Sequence, residues 1–466
     1  MFKILSQDLI NCSIFGDARL EKRFGTVIST LGDHFGESIS QSHATRCLQG
    51  GFYRFMNNEK ITHERLVASE RIRLQNWVAA SDEKVILSIA DTTDVNLTGR
   101  PVASQLDCLT QVYLKGYFVH SQLLATESGL VQGVYDQVLW GRKAATLGDA
   151  RKATTRNHTP LQDRESYRWL AGFERLNTDF ADQKDKIFIH MGDRETDLYE
   201  LMAAPRFDHI HYLFRAQHNR KLSDSTAAED KLFADIARKP LKATIEVLVP
   251  TAENSGIKRT ATLEIRAATY TFSASGYAVS EKNDRRTNSN FIELKEVNAP
   301  QDTEPIHWRL MTSLPIDTLE QLLDVLKYYL LRWRIEEFHV VLKQGCAIEK
   351  LKFETPQAIE NLVITFSIIS AKVLNLRYLY EQKPQEPIEV TGFSVQDYNT
   401  IARFLTYKTK IKIPKLEQPK VEDIIMLIQR LGSGNKYPKT VGVRALWLGI
   451  QKATTILDAF KAFTET

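Results

Sequence analysis

The run KYYLLRWRIEEFHVVLKQG, residues 327–345, carries Tyr329, Arg332, Glu336 and Lys343, the last three at offsets of +3, +7 and +14 from the first. At about 100° per residue these four side chains fall on one face of a helix, within roughly 60° of arc. A phenol, a guanidinium, a carboxylate and an ammonium make a poor core stripe. They suit a phosphodiester site, where one acidic metal ligand is flanked by groups that bind phosphate. Glu337 lies about 100° round the helix from this stripe, which predicts a solvated or salt-bridged carboxylate. Trp333 of the same run is expected in the core.

Length and charge frame what surrounds this run. A chain of 466 residues is too long for one ordinary core, so several domains are expected. A formal charge of +4 and a pI near 8.6 permit nucleic-acid binding without requiring it. Cys12, Cys47, Cys108 and Cys346 are far apart with no CxxC pair, so neither a zinc ribbon nor a disulfide framework is indicated. The opening MFKILSQDLINCSIF does not read as a signal peptide. No uncharged 18-residue apolar run appears, so no membrane span is expected. There is no GxxxxGK[ST] loop, so no nucleotide is implied. His34, His43, His120 and His190 form no metal-ligand spacing.

Residues 1–75 read as helical. Leu20, Phe24, Val27, Ile28 and Leu31 recur at helical spacing after a candidate N-cap, Asp17, and a second helix is predicted from Thr62. Ten Lys/Arg stand against eight Asp/Glu here, so the segment is charged rather than strongly basic. Short strands are predicted at 84–90, 117–124 and 131–135, joined as a meander, and again at 186–191 and 210–215, with helices near 166–176 and 197–204 between and after. Residues 142–165 are polar and basic and read as a mobile loop. Strand-like segments at 244–249, 261–266 and 291–297 suggest a β-rich insertion at about 236–315. After a linker near 381–392, a small helical domain is expected over 384–466. This order of elements is that of an α/β, RNase H-like catalytic core at 76–380, with helical N- and C-terminal domains.

Asp91 and Asp193 each close a predicted strand, and Glu336 comes from the charged helix. Each Asp alone also fits a helix N-cap or turn. Two-metal phosphoryl transfer needs such carboxylates close enough to share cations.

The blocks Ala90–Thr93, Gly192–Asp197 and Tyr329 to Lys343 resemble those around the catalytic Asp, Asp and Glu of bacterial insertion-sequence DNA transposases of the DDE, cut-and-paste class. The Tyr-Arg-Glu-Lys order resembles the branch that includes the transposase of the Tn-five transposon. Gly50–Phe55, Val119–Ser121, Phe214–Arg215, Trp308 with Thr312–Ser313, Arg430–Gly432 and Ala445–Trp447 follow in the same order, so the resemblance runs from about residue 16 to about residue 460.

The resemblance implies that Asp91, Asp193 and Glu336 are catalytic and hold two Mg²⁺ or Mn²⁺ ions. Tyr329, Arg332 and Lys343 would contact phosphates beside the cut. Trp308 would stack a flipped base that Arg215 supports; the other readings are a buried strand tryptophan and a surface arginine. Arg19, Arg23 and Arg54 would contact double-stranded transposon-end DNA. Nicking, hairpin formation, hairpin opening and joining of the 3′-OH to target DNA are the implied steps, carried out by a homodimer in a bacterial cytoplasm, associated with the nucleoid. Val421–Leu431 and Val443–Leu448 are candidates for the dimer contact, or for the terminal domain's own core. The basic run Arg403, Lys408, Lys410, Lys412, Lys415 and Lys420 is a further candidate for DNA phosphates, or else a solubilising loop. A non-catalytic DNA-binding or inhibitory relative is the alternative reading.

Overall fold

A computed structural model describes residues 3–35, 37–43, 45–147, 160–222, 231–250, 258–273, 286–301, 303–435 and 441–464. The strands are β1 (Val85–Asn96), β2 (Gly116–Thr126), β3 (Val131–Trp140), β4 (Ile187–Gly192), β5 (Ile210–Arg215), β6 (Ala243–Pro250), β7 (Lys258–Phe272), β8 (Thr287–Val297) and β9 (His307–Thr312). The chain divides into two compact units. One comprises residues 1–83, 91–148 and 333–466, the other residues 84–90 and 149–332. The N- and C-terminal helices share a unit, and β1 passes from one unit to the other at Ala90–Asp91.

In the first unit, the N-terminal helices start where their caps say they should. Asp17 accepts from the Arg19 N–H ahead of Ala18–Asp33, and Thr62 from the Arg65 N–H ahead of His63–Ala80. Phe24 stacks on Phe55 at 6.2 Å, and Phe15 meets both edge-on, closing a small aromatic core. Strands run β3-β2-β1, with β2 and β3 antiparallel as the meander predicted. The helix Pro356–Gln382 packs on β3 and on His63–Ala80. It is long and apolar enough to cross a membrane, but 83% of its most apolar window is buried, as in a core helix. Its buried Asn361 donates to the carbonyls of Met56 and Ile61, which fixes the turn between two N-terminal helices.

The second unit is built on a sheet of order β1-β4-β5-β9-β8-β7-β6. β1, β4 and β5 are parallel; every later pairing is antiparallel. The β-rich segment extends the α/β sheet through β9, which pairs with β5. The fold is a mixed α/β one with a large mixed sheet and many helices.

Three expectations are corrected. β1 continues through Asp91 to Asn96, where β2 lies beside it in the sheet; Asp91 is inside the strand, not past its end. The charged run is not one regular helix. Leu319–Leu331 ends, Arg332 and Trp333 form a turn, Arg334–Val340 follows, and Val341–Gly345 is a π-turn closed by the Cys346 N–H on the Val341 carbonyl at 3.0 Å. The 100° period therefore does not carry from Tyr329 to Lys343, and Trp333, expected in the core, is 58% exposed. Of the expected loop at 142–165, residues 148–159 lie outside the described residues.

His190 on β4 is fully buried, with Nδ1 3.3 Å from Ser88 Oγ, and burial pushes its pKa down to about 4. The folded state thus binds this proton less readily than the unfolded state. Its stability is complete above the unfolded value near 6.5 and is lost as pH falls towards 4. The loss at pH 5 is expected to be about 2 kcal/mol. In urea unfolding at pH 7 and pH 5, His190→Gln should narrow the difference between the two pH values by that amount; an unchanged difference would show that His190 does not carry the acid limb.

Candidate functional site

In the second unit, Asp193 follows β4 directly. Gly192 makes this possible, since a Cβ there would sit 1.8 Å from Thr196 Oγ1 and 2.7 Å from the Trp169 ring. The Asp193 carboxylate accepts from the Glu195 N–H at 2.8 Å, so it caps the turn Arg194–Thr196 while Asp193 stays half-buried. Asp197, later in the same block, is buried and structural: it takes the N–H groups of Gln217 and His218, each at 2.7 Å, and an ion pair from Arg220.

Around Asp193 the unit gathers four of the expected residues. Trp308 on β9 meets the Tyr329 ring edge-on at 5.8 Å, and the Arg332 guanidinium lies 6.0 Å from that ring. Burial holds the Tyr329 phenol above its ordinary pKa; Arg332 and Arg215 pull it back, and Asp193 adds to the rise. Tyr329 is thus a neutral hydroxyl at neutral pH, able to donate to a phosphate oxygen. Arg215 donates to the His307 carbonyl at 3.1 Å, and its pKa is lowered by burial and by the nearby Arg194. Trp308 is half-buried rather than buried. With Arg194, Arg215 and Phe233 it lines a cavity of about 630 Å³, wide enough for a base. Arg194 was not singled out from the sequence, although it directly follows Asp193.

In the first unit, Asp91 on β1 accepts from the Thr92 N–H at 2.7 Å, and Thr92 Oγ1 is 2.9 Å from His120 Nδ1 on β2. Glu336 is half-buried in the short helix Arg334–Val340. Its neighbour Glu337 is salt-bridged. It pairs with Arg377 and with Arg334, 3.7 Å away, and Arg334 lies over the Tyr378 ring at 3.4 Å. Lys343 Nζ is 3.1 Å from Asp94 and 3.5 Å from Glu349.

Arg23 and Arg54 line a surface cavity of about 590 Å³ with Arg19 and Lys60. Gly51 makes room there, since a Cβ would lie 3.2 Å from the Arg23 guanidinium. Arg19 is 91% exposed and paired with Asp17 at 3.1 Å.

Asp91, Asp193 and Glu336 offer hard oxygen donors, the chemistry Mg²⁺ and Mn²⁺ prefer, and Asp193 keeps one oxygen without a hydrogen bond among the described residues. Among the described residues, no three His, Cys, Asp or Glu side chains are grouped as a metal site.

Residues 172–371 match the transposase DDE domain family, and residues 7–61 match the transposase DNA-binding family. The DDE match contains Asp193, Arg215, Trp308, Tyr329, Arg332, Glu336 and Lys343; the DNA-binding match contains Arg19, Arg23 and Arg54. Among solved structures the chain is similar to piggyBac transposase in a synaptic complex with hairpin DNA, at 10% identity and a TM-score of 0.35, over 86% of this chain and 74% of that one.

The C-terminal candidates sort differently. Ile424, Ile425, Leu427, Ile428 and Leu431 are buried, as are Leu446 and Trp447, and the helices Val421–Ser433 and Val443–Thr464 pack on each other. Those apolar side chains pack within the chain's own core. The basic run is exposed throughout, with Lys410 over the Tyr407 ring at 4.6 Å.

Proposed function

We propose that this protein is a DNA transposase of the Tyr-Arg-Glu-Lys branch, with an RNase H-like core. The observation that carries this is the grouping of Asp193 with Tyr329, Arg332, Arg215 and Trp308 inside a matched DDE domain. Asp91, Asp193 and Glu336 are the proposed ligands of two divalent ions, which when bound would polarise the phosphodiester and lower the pKa of attacking water.

This chain's own side chains do the rest. Arg332 and Lys343 hold phosphates beside the scissile bond, Arg332 as a planar fork and Lys343 as a point charge. Tyr329 donates to a phosphate oxygen. Trp308 stacks a base flipped from the duplex, a contact worth roughly 1–3 kcal/mol, and Arg215 supports it. That base leaves the stack so that the freed 3′-OH can reach the opposite strand as a hairpin before it is joined to target DNA. Arg19, Arg23 and Arg54 grip the transposon end, and a homodimer would hold two ends together.

The test uses purified full-length protein, Mg²⁺, supercoiled target, and DNA carrying the inverted repeats that flank its gene. A transposase releases hairpin ends and then joined product. Cutting without joining would reduce the reading to a nuclease, and binding without cutting to a non-catalytic relative. The exposed basic run is expected to contribute phosphate contacts. Neutralising Arg403, Lys408, Lys412 and Lys415 together should flatten the slope of log K against log[salt] by up to about 0.9 for each phosphate that loses its cation. An unchanged slope would make the run a solubilising surface.

A further inference from the structure

Lys343 sits in the π-turn Val341–Gly345, with its ammonium between two carboxylates of the same compact unit. The two are held very differently. Glu349 is anchored: its Oε1 accepts the Asn96 N–H at 2.9 Å, and its carbonyl accepts from Arg100 Nε at 2.7 Å. Asp94 has Lys343 as its one polar partner among the described residues, and its side chain is 51% exposed. It stands on β1 three residues after Asp91. A single turn of π-helix inside an α-helical run is a common mark of a functional position, since it re-aims one side chain. Here that side chain is an ammonium 27% exposed, paired to one fixed anion and one loose one.

We propose that Asp94 is an intramolecular stand-in for a DNA phosphate at Lys343, displaced when DNA binds while Glu349 stays. The proposal rests on the reading of Lys343 as a phosphate contact. An exposed ion pair is weak, so a phosphate, bringing more charge and several acceptor oxygens, displaces it readily. The pair keeps the ammonium placed and neutralised in the free protein. It also lowers affinity for DNA that does not deliver a phosphate to that spot, because such DNA gains nothing to offset the broken Asp94 pair.

The experiment measures binding of the full chain to a fluorescent duplex carrying the flanking inverted repeat, without divalent metal, for wild type, Asp94→Asn, Lys343→Gln and the double variant. Asp94→Asn should tighten binding about two- to fivefold at low salt. Lys343→Gln should weaken it, and the double variant should bind like Lys343→Gln. Asp94→Asn without effect, or with the same gain in the Lys343→Gln background, would overturn the proposal while leaving the phosphate reading intact. If Lys343→Gln changes neither binding nor cleavage, the phosphate reading and this proposal fall together.

Discussion

Alanine at Asp91, Asp193 or Glu336 should reduce DNA cleavage by roughly a thousandfold or more, with binding to transposon-end DNA kept within a few-fold. The three are expected to act as one unit, so a double replacement should cost little more than a single one. None of the three is a core side chain. All three are partly exposed, and Asp193 caps the turn Arg194–Thr196 through the Glu195 N–H, so binding is read beside cleavage in each variant. Glu337→Ala is the control. Glu337 is held by Arg377 and Arg334, and its pKa is raised by burial against their opposing pull. Its loss should lower stability and leave the cleavage rate of the folded fraction unchanged. Melting curves beside cleavage time courses separate the two. Cleavage surviving in any one of the three alanine variants would remove that residue from the site.

Glu70→Ala is expected to cost about 3–5 kcal/mol of stability. Glu70 is wholly buried and grips Arg73 with both oxygens, at 2.7 Å each, while Arg73 also donates to the Gln132 carbonyl at 2.8 Å. Removing the carboxylate strands a buried guanidinium between a helix and β3. The packing leaves no room to move, since even a Cβ on Gly133 would lie 2.1 Å from Glu70 Oε1. A joint Glu70→Leu, Arg73→Met change should recover much of the loss, because it removes both charges. Urea unfolding followed by fluorescence gives the comparison. A Glu70→Ala loss below about 1 kcal/mol would mean that water reaches Arg73.

Local chemistry was the part most legible in the sequence. Asp17 and Thr62 announced helix starts because a cap is decided within three residues of chain. β5 was bounded at Ile210–Arg215 because its apolar run ends at polar neighbours on both sides. Features decided by distant partners were not legible. β1 runs past Asp91, because a strand ends where its pairing ends and not where its apolar residues do. The charged run breaks at Arg332–Trp333, although nothing in its composition is a helix breaker. That β9 would join β5 depends on a pairing about a hundred residues apart in sequence, between Leu213 and Thr312. The carboxylates that hold Lys343 divide the same way. Glu349 is six residues downstream, but Asp94 is 249 residues away, and no spacing rule links it to the charged run. Of the candidate site, the types and order of the residues could be read from sequence. The environment that keeps Tyr329 neutral and leaves Trp308 half-open to a cavity could not.

Manganese binding tests the central claim most directly. Electron paramagnetic resonance titration of Mn²⁺ into the full chain bound to transposon-end DNA should report two ions per chain, falling to one or none in Asp193→Ala. Two ions retained in Asp91→Ala, Asp193→Ala and Glu336→Ala alike, or no binding by the wild type, would contradict it.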